Sequence, residues 1–179
     1  MRSFMGWTAL AIAVAVGYGY SLHNSATIRG SGTTKAETRD VGDFDGIVVG
    51  SAMKATVTIG SKASLKIEAD DNLLPLIETP IKSGHLIVQF KDGTPVEPKS
   101  PILLTITAPR LSYIDGSGAS VVVATATKSD KFEISSSGAS KVDASGVDSA
   151  DVTVSASGAS RLKLTGTGKT IKIDLSGAS

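Results

Sequence analysis

The sequence predicts an all-β protein whose C-terminal part is a right-handed parallel β-helix (β-solenoid) with coils of about 20 residues. The tetrapeptide Ser-Gly-Ala-Ser occurs at residues 117–120, 137–140, 157–160 and 176–179, with spacings of 20, 20 and 19. Between these tetrapeptides apolar residues alternate with polar ones, which is the period of half-buried strands rather than of a helix. Short repeats of this kind bury their inward faces by stacking coil on coil, and parallel crossovers are right-handed.

Composition restricts the function more than it identifies one. The chain has 179 residues, which is enough for one domain of ordinary size. Lys and Arg number 18 against 17 Asp and Glu, so there is no basic excess for a nucleic-acid partner, and we predict none. The absence of cysteine excludes disulfides, thiol catalysis and zinc–thiolate sites.

The N-terminus has the pattern of an export signal. Met1-Arg2-Ser3 is a short positive start, and residues 4–20 then carry no charge. This order matches the charged and apolar regions of a secretory signal. We predict that residues 1–25 are a signal peptide or an N-terminal membrane anchor that engages the membrane during export. The protein would then be periplasmic, surface-exposed or secreted, and several cleavage positions stay open.

Residues 26–38 are mostly small and polar and show no apolar period. Such a composition is typical of a flexible linker. The folded domain is therefore expected over residues 39–179.

The repeats predict which side chains point inward and which point outward. Four inward columns are Val122, Val142, Leu162; Ala124, Ala144, Leu164; Phe132, Val152, Ile171; and Ile134, Val154, Ile173. Three outward columns are Val121, Lys141, Arg161; Val123, Asp143, Lys163; and Glu133, Thr153, Lys172. The glycine of each tetrapeptide is expected at a corner that a Cβ would obstruct. Asp143 and Lys163 are expected to form a weak surface pair on neighbouring coils.

The first half of the domain is less regular but also β-rich. Five segments alternate or are rich in β-branched residues: 47–49, 55–59, 65–69, 85–90 and 103–107. Glycines punctuate them as turns. Residues 70–77 are expected to add one helical turn with an Asp as its N-cap.

The carboxylates do not form a catalytic pair in the sequence pattern. Asp115 and Asp174 fall in one column, but Ser135 and Ser155 occupy that column between them. The stacking would hold the two carboxylates farther apart than the about 5–10 Å that acid/base pairs need.

The other polar candidates are equally ordinary. Asp70 and Asp71 are adjacent, so their side chains diverge on an extended chain. His23 is expected to be a solvated linker residue, and His85, beside Gly84 at the start of a strand, a surface turn residue rather than a ligand. We therefore predict no catalytic, cofactor-binding or metal-binding residues, no cofactor, and no enzymatic activity.

Several segments together resemble a known family. These are Val41-x-x-Phe44-x-x-Ile47-x-Val49, Val57-x-Ile59-Gly60, Leu65-x-Ile67-Glu68-Ala69-Asp70-Asp71-Asn72-Leu73-Leu74, Gly84-His85-Leu86-Ile87-Val88, Ile106-Thr107-Ala108-Pro109-Arg110-Leu111 and the tetrapeptides. Over about residues 39–179 the pattern is similar to the head GIN domain family of putative autotransporter adhesins. The resemblance implies a right-handed β-helix in an exported protein of the bacterial envelope, and it carries over no catalytic residues. Family members usually continue beyond the third coil, so we expect a fragment, or an end that pairs with a partner.

The functional expectation is an exported cell-envelope domain that acts as an adhesin-like interaction module without catalytic activity. Its partner would be a cell-surface or envelope glycan or protein. One alternative is a passive structural or spacer module of the envelope. A less favoured alternative is a β-helix that binds or cleaves polysaccharide, because few aromatic residues follow residue 25. The sequence leaves the oligomeric state open.

Overall fold

A computed structural model describes residues 27–91 and 94–179, so the predicted signal or anchor segment 1–25 lies outside the described residues. The described chain is built from β-strands and one short 3-10 turn over Leu74–Leu76. The strands are β1 Ile28–Arg29, β2 Thr34–Arg39, β3 Gly46–Val49, β4 Met53–Ile59, β5 Ser64–Asp70, β6 Ile77–Glu78, β7 Ile81–Lys82, β8 His85–Phe90, β9 Val96–Glu97, β10 Ile102–Ala108, β11 Tyr113–Gly116, β12 Val121–Thr125, β13 Lys128–Ser136, β14 Lys141–Ala156 and β15 Arg161–Leu175.

Almost all of these strands belong to one sheet of 13 strands. Its order is β2-β5-β10-β4-β12-β14-β13-β11-β3-β8-β6, with β15 added beside β14 and β7 beside β8. The remaining strands, β1 and β9, form a separate parallel pair. Both parallel and antiparallel neighbours occur within the large sheet, so the sheet is mixed.

The predicted right-handed parallel β-helix is wrong. The strands form a curled mixed sheet, a half-barrel, in which β5 runs antiparallel to both β2 and β10, and β6 and β7 run antiparallel to β8. The 20-residue period that predicts a solenoid exists only after residue 116. Without a fixed period, nothing forces each strand to repeat the direction of the one before, and antiparallel neighbours form.

The register predicted for the repeats is confirmed even though the fold class is not. Val142 lies opposite Leu162 and Phe132 lies opposite Val152, in parallel pairs of β14 with β15 and β13 with β14. Lys163 Nζ and Asp143 Oδ2 are 3.7 Å apart on neighbouring strands. The inward and outward columns of the sequence are therefore columns of the sheet, but the predicted inward residues Ile171 and Ile173 on β15 are exposed rather than buried.

Two long strands curl the sheet. The first residues of β14 pair with β12, whereas its later residues pair with β13. The strand therefore belongs to both arms of the sheet, which are β12, β4, β10, β5 and β2 on one side and β13, β11, β3, β8 and β6 on the other. The register between β14 and β15 shifts between Ala144 and Val147, next to Gly146 with a φ of 74°. Such a bulge adds one unpaired residue and bends the strand. It also explains why the last tetrapeptide follows after 19 residues rather than 20.

The curled sheet encloses one apolar core. The largest fully buried side chains include Phe132, Met53, Leu104 and Ile114, which come from both arms. Along β4 and β10 the burial alternates residue by residue, because successive side chains point to opposite faces of a strand. The inward face is therefore apolar, and the outward face is left for polar side chains.

The tetrapeptides form the stacked corners that the sequence predicts. Gly118, Gly138 and Gly158 have φ values of 69°, 74° and 75°, in the region that favours glycine. The amide of Ala139 donates to the carbonyl oxygen of Gly118 at 2.7 Å, and the amide of Ala159 to that of Gly138 at 2.8 Å. The hydrogen-bond ladder of the strands thus continues through each corner.

The prediction of a flexible linker over residues 26–38 is wrong for its second half. Strand β2 occupies this part of the chain and pairs antiparallel with β5 along its whole length. Polar residues occupy both faces of β2, so no apolar alternation marks it as a strand. Arg39 fastens its end, because its guanidinium donates to the carbonyl oxygens of Leu74 at 2.9 Å and Ile77 at 2.6 Å.

The predicted Asp N-cap is also wrong. Leu73 is the N-cap of the 3-10 turn and makes no side-chain capping bond. The carboxylate of Asp70 is fully buried and instead accepts hydrogen bonds from the amides of Gly32, Lys99 and Ser100 and from the Ser100 hydroxyl, at 2.7–3.1 Å. Burial by itself raises the pKa of Asp70, but these hydrogen bonds to Ser100, Lys99 and Gly32 outweigh it and lower the pKa below 3.8. Asp70 therefore joins three segments as an ionised group.

Replacing the corner glycine should destabilise the protein far more than replacing a nearby surface residue. A Cβ at Gly138 would lie 2.7 Å from the Gly118 carbonyl oxygen, on a backbone whose φ already favours glycine. We expect Gly138→Val to cost about 1–3 kcal/mol from overpacking, with backbone strain added. Lys141→Ala, in the exposed column beside it, should stay within about 0.5 kcal/mol of the parent. Denaturant melts measure both, and equal midpoints would contradict the packed corner.

Asp70→Asn should remove a pH-dependent part of the stability. Because the folded pKa is lowered, the ionised carboxylate stabilises the native state above 3.8, and this contribution disappears as pH falls through the folded value. The free energy of unfolding of Asp70→Asn should thus lie below that of the parent at neutral pH and approach it in strong acid. Thermal melts across this range measure the difference. A constant difference at all pH values would show that ionisation of Asp70 is irrelevant, and the exposed Asp71→Asn is the matched control.

Candidate functional site

The outward face of the strands that follow residue 112 carries a shallow polar groove. Parallel pairing places Asp115, Ser135, Ser155 and Asp174 side by side on β11, β13, β14 and β15. Two residues further along, Ser137 and Ser157 follow in the same orientation. These six residues, with four neighbours on the same strands (Ser136, Ala156, Leu175 and Ser176), line a groove of about 460 Å³ that we call the hydroxyl groove.

The repeat makes the groove regular. Strands in a sheet lie about 4.8 Å apart, so each repeat adds one Ser-x-Ser step at that distance. Asp115 and Asp174 lie at the two ends of this row, separated by three strand spacings, which is roughly 14 Å. This separation exceeds the about 5–10 Å of paired catalytic carboxylates.

The serines of the repeat divide into two groups by the direction in which they point. Two inward serines bond to the backbone: the Ser140 hydroxyl donates to the Gly116 carbonyl oxygen at 2.9 Å, and that of Ser160 to the Ser136 carbonyl oxygen at 3.1 Å. The equivalent hydroxyl of Ser120 is buried without a hydrogen-bond partner in the described chain. Within residues 27–91 and 94–179, no side-chain hydrogen bond involves the groove hydroxyls. The groove hydroxyls are therefore available to a ligand.

An aromatic pair continues the outward face beside the groove. His85 on β8 and Tyr113 on β11 both pair with Gly46 on the strand between them. Their rings stack with centroids 4.0 Å apart and planes 12° apart. A Cβ at Gly46 would lie 2.5 Å from His85 Cδ2 and 2.8 Å from Tyr113 Cβ, so glycine is what lets the two rings meet across it.

This stack differs from the role predicted for His85. His85 begins β8, at the strand start that the sequence predicts, but its ring stacks on Tyr113 instead of lying alone at the surface. No cluster of metal-ligating side chains occurs in the described part of the chain. The sequence reasoning missed the pair because its members lie on different strands outside the repeat. The signal that could have found it is Gly46, a glycine where alternation predicts a strand.

The end of the groove at β11 carries two neighbouring carboxylates, Asp115 and Glu133. Partial burial and the nearby Glu133 carboxylate raise the pKa of Asp115. Burial, Asp115 and Glu133 likewise raise the pKa of the Tyr113 hydroxyl. Among the described residues, neither Asp115 nor Glu133 forms an ion pair. The other end is compensated, since Lys172 Nζ lies 3.3 Å from Asp174 Oδ2.

The other arm of the sheet has a different outward surface. Lys54, Lys141 and Arg161 are exposed in one row across β4, β14 and β15, with the partly exposed Val121 between them. This basic row distinguishes the outward surface of that arm from the hydroxyl groove.

Sequence comparison assigns the chain to a family. The profile of the family described as "Putative auto-transporter adhesin, head GIN domain" matches residues 43–179. This chain belongs to that family. The resemblance drawn from the sequence is thus confirmed, and membership indicates an exported or surface protein of adhesin type. No curated protein matches this head GIN domain.

Solved structures share its fold. The crystal structure of a putative adhesin from Bacteroides fragilis superposes with a TM-score of 0.72 at 26% identity, over 80% of this chain and 67% of that chain. A putative lipid binding protein from Parabacteroides distasonis has a TM-score of 0.66 at 21% identity, over 84% of this chain and 64% of its own. A putative adhesin from Parabacteroides merdae has a TM-score of 0.66 at 20% identity, over 83% and 62%.

The head GIN domain described here spans only about two thirds of each of these proteins, at 67%, 64% and 62% of their lengths. The last two are related to it by fold alone. In residues 27–91 and 94–179, no helix has both the length and the apolar character needed to cross a membrane.

The electrostatic coupling at the groove can be measured directly. Glu133→Gln removes a negative charge that raises the pKa of Asp115, so that pKa should fall but stay above its ordinary value, because burial remains. An NMR titration of the Asp115 carboxyl carbon measures this shift. Asp174→Asn, at the compensated end, should leave the Asp115 titration unchanged. The coupling would be refuted by a Glu133→Gln protein in which Asp115 titrates as in the parent.

Proposed function

We propose that this head GIN domain is an exported envelope module that binds a surface ligand through its hydroxyl groove, as an adhesin does, without catalysing a reaction. The observation that carries the proposal is the division of the serines. The inward Ser140 and Ser160 donate to backbone carbonyl oxygens, whereas the groove serines point outward and are repeated at strand spacing with no side-chain partner in the described chain.

A repeated polar face is better suited to binding than to catalysis. Catalysis needs one convergent set of groups, such as a nucleophile, a base and a group that orients the base. The groove instead offers the same hydroxyl pair on successive strands, with its two terminal carboxylates three strands apart. Many equivalent weak hydrogen bonds sum to useful affinity when one ligand spans them.

An exported location is supported by two independent features. The family is one of adhesin-type proteins, and the charge pattern of residues 1–25 is that of a signal or membrane anchor. Periplasm, cell surface and secretion are all compatible with this pattern. The absence of cysteine also fits an oxidising compartment.

The proposal is tested by binding of the full chain to cells. Purified, fluorescently labelled protein is added to bacterial cells and envelope fragments, and bound label is measured. Ser135→Ala combined with Ser155→Ala should weaken binding roughly tenfold, because each lost hydrogen bond is worth about 0.5–1.5 kcal/mol. Thr56→Ala combined with Thr105→Ala is the matched control, since these hydroxyl residues are also neighbours on adjacent strands but on the other arm.

Two results would overturn the binding function. Absence of parent binding to every cell and envelope preparation would favour the passive spacer interpretation. Equal loss in the groove variant and the control variant would show that the hydroxyl groove is not the binding surface.

A further inference from the structure

The groove has one end suited to a positive charge. Asp115 and Glu133 lie diagonally on neighbouring strands, with the Tyr113 ring beside both. Ser135 and Glu133 of β13 and the following Ser137 face Asp115, and on the other side Val48 of β3 faces it between glycines 46 and 50. The charged residue next along this face of β13 is Lys131, which forms no ion pair with either carboxylate in the described chain. A carboxylate pair beside an aromatic ring attracts an ammonium group through both its charges and the ring face.

The rest of the groove is suited to a chain of hydroxyl groups. Beyond Asp115 the row continues with Ser135 and Ser155, and Asp174 at the far end is already paired with Lys172. Hydroxyl side chains both donate and accept hydrogen bonds, so they can match sugar hydroxyls in either sense. A run of roughly 14 Å is long enough for a short oligosaccharide laid across the strands.

We propose that the hydroxyl groove binds a linear polysaccharide whose sugars carry free amino groups, with one ammonium between Asp115, Glu133 and the Tyr113 ring and the sugar hydroxyls on the serine steps. This inference rests on the proposed function and names the ligand class of the same site. The polysaccharide chain crosses β11, β13, β14 and β15, so each strand meets a successive part of the ligand.

Other ligand classes fit the groove less well. A polymer of phosphates or uronic acids would bring negative charge to Asp115 and Glu133, which like charges oppose. A neutral glycan would cover these carboxylates and remove water from them without supplying a positive partner. A lysine-rich peptide would satisfy the carboxylates but would leave most serine hydroxyls without a matched partner.

The decisive experiment compares two sugars that differ only in their amino groups. The full chain is titrated with the β-1,4-linked tetrasaccharide of glucosamine and with the same tetrasaccharide fully N-acetylated, and the dissociation constants are measured by calorimetry. We expect the free amine to bind at least about tenfold more tightly, because a charge-assisted hydrogen bond contributes more than a neutral one. Binding of the amine should weaken as acidification protonates Asp115.

Variants locate the ammonium site. Asp115→Asn and, separately, the exposed Glu133→Gln should each weaken binding of the glucosamine tetrasaccharide about tenfold and leave the acetylated one unchanged. Asp143→Asn on the other arm is the matched control and should bind like the parent. Circular dichroism and melting temperature verify that each variant is folded. Because Glu133 is exposed, that variant keeps the test valid if Asp115→Asn fails to fold.

Several outcomes would overturn the inference. These are equal binding of the two tetrasaccharides, binding of neither, unchanged amine binding in Asp115→Asn and Glu133→Gln, or tighter binding of a lysine tetrapeptide than of the glucosamine tetrasaccharide. Cell binding that depends on Ser135 and Ser155 would survive each of these outcomes, so failure of the amino-sugar inference is distinguishable from failure of the proposed function.

Discussion

The in-register parallel pairing of successive repeats is the constraint on which the rest of the structure depends. Because each residue of β14 lies beside its counterpart on β13 or β15, inward positions stack only on inward positions. A slip of one residue would move every core side chain of a strand to the outward face and every groove hydroxyl into the core. The apolar core and the polar groove are thus two consequences of one register.

The corners show how the backbone maintains that register. Each Ser-Gly-Ala-Ser turn after the first bonds to the turn before it through main-chain groups, so the alignment does not depend on side chains alone. The buried Ser140 hydroxyl adds a second hydrogen bond to the Gly116 carbonyl oxygen, which already accepts from the amide of Ser137. Serine thus acts as a structural donor at the inward positions 140 and 160 and as an available surface group at the outward positions of the groove.

The sequence predicted the features that depend on its 20-residue period and on the alternation of apolar and polar residues, and few others. The columns through Val142 and Phe132 and the glycine corners followed from the repeat. Three other features could not be predicted: the antiparallel strands, the pairing of β2, and the hydrogen bonds by which Asp70 joins three segments. Each is a contact between segments that share no sequence pattern. The same is true of the candidate site: the serine steps were visible as a column, whereas the His85–Tyr113 stack needs the order of β8, β3 and β11, which no local signal provides.

The bulge near Gly146 has a consequence for how such a surface can change in size. It absorbs a repeat of 19 residues in place of 20 while the strands on both sides of it keep their facing residues. Gain or loss of a whole repeat would therefore lengthen or shorten the groove by one strand spacing of about 4.8 Å and would leave the types of side chain that line it unchanged. The ligand footprint of a protein built in this way is a discrete quantity, counted in strands.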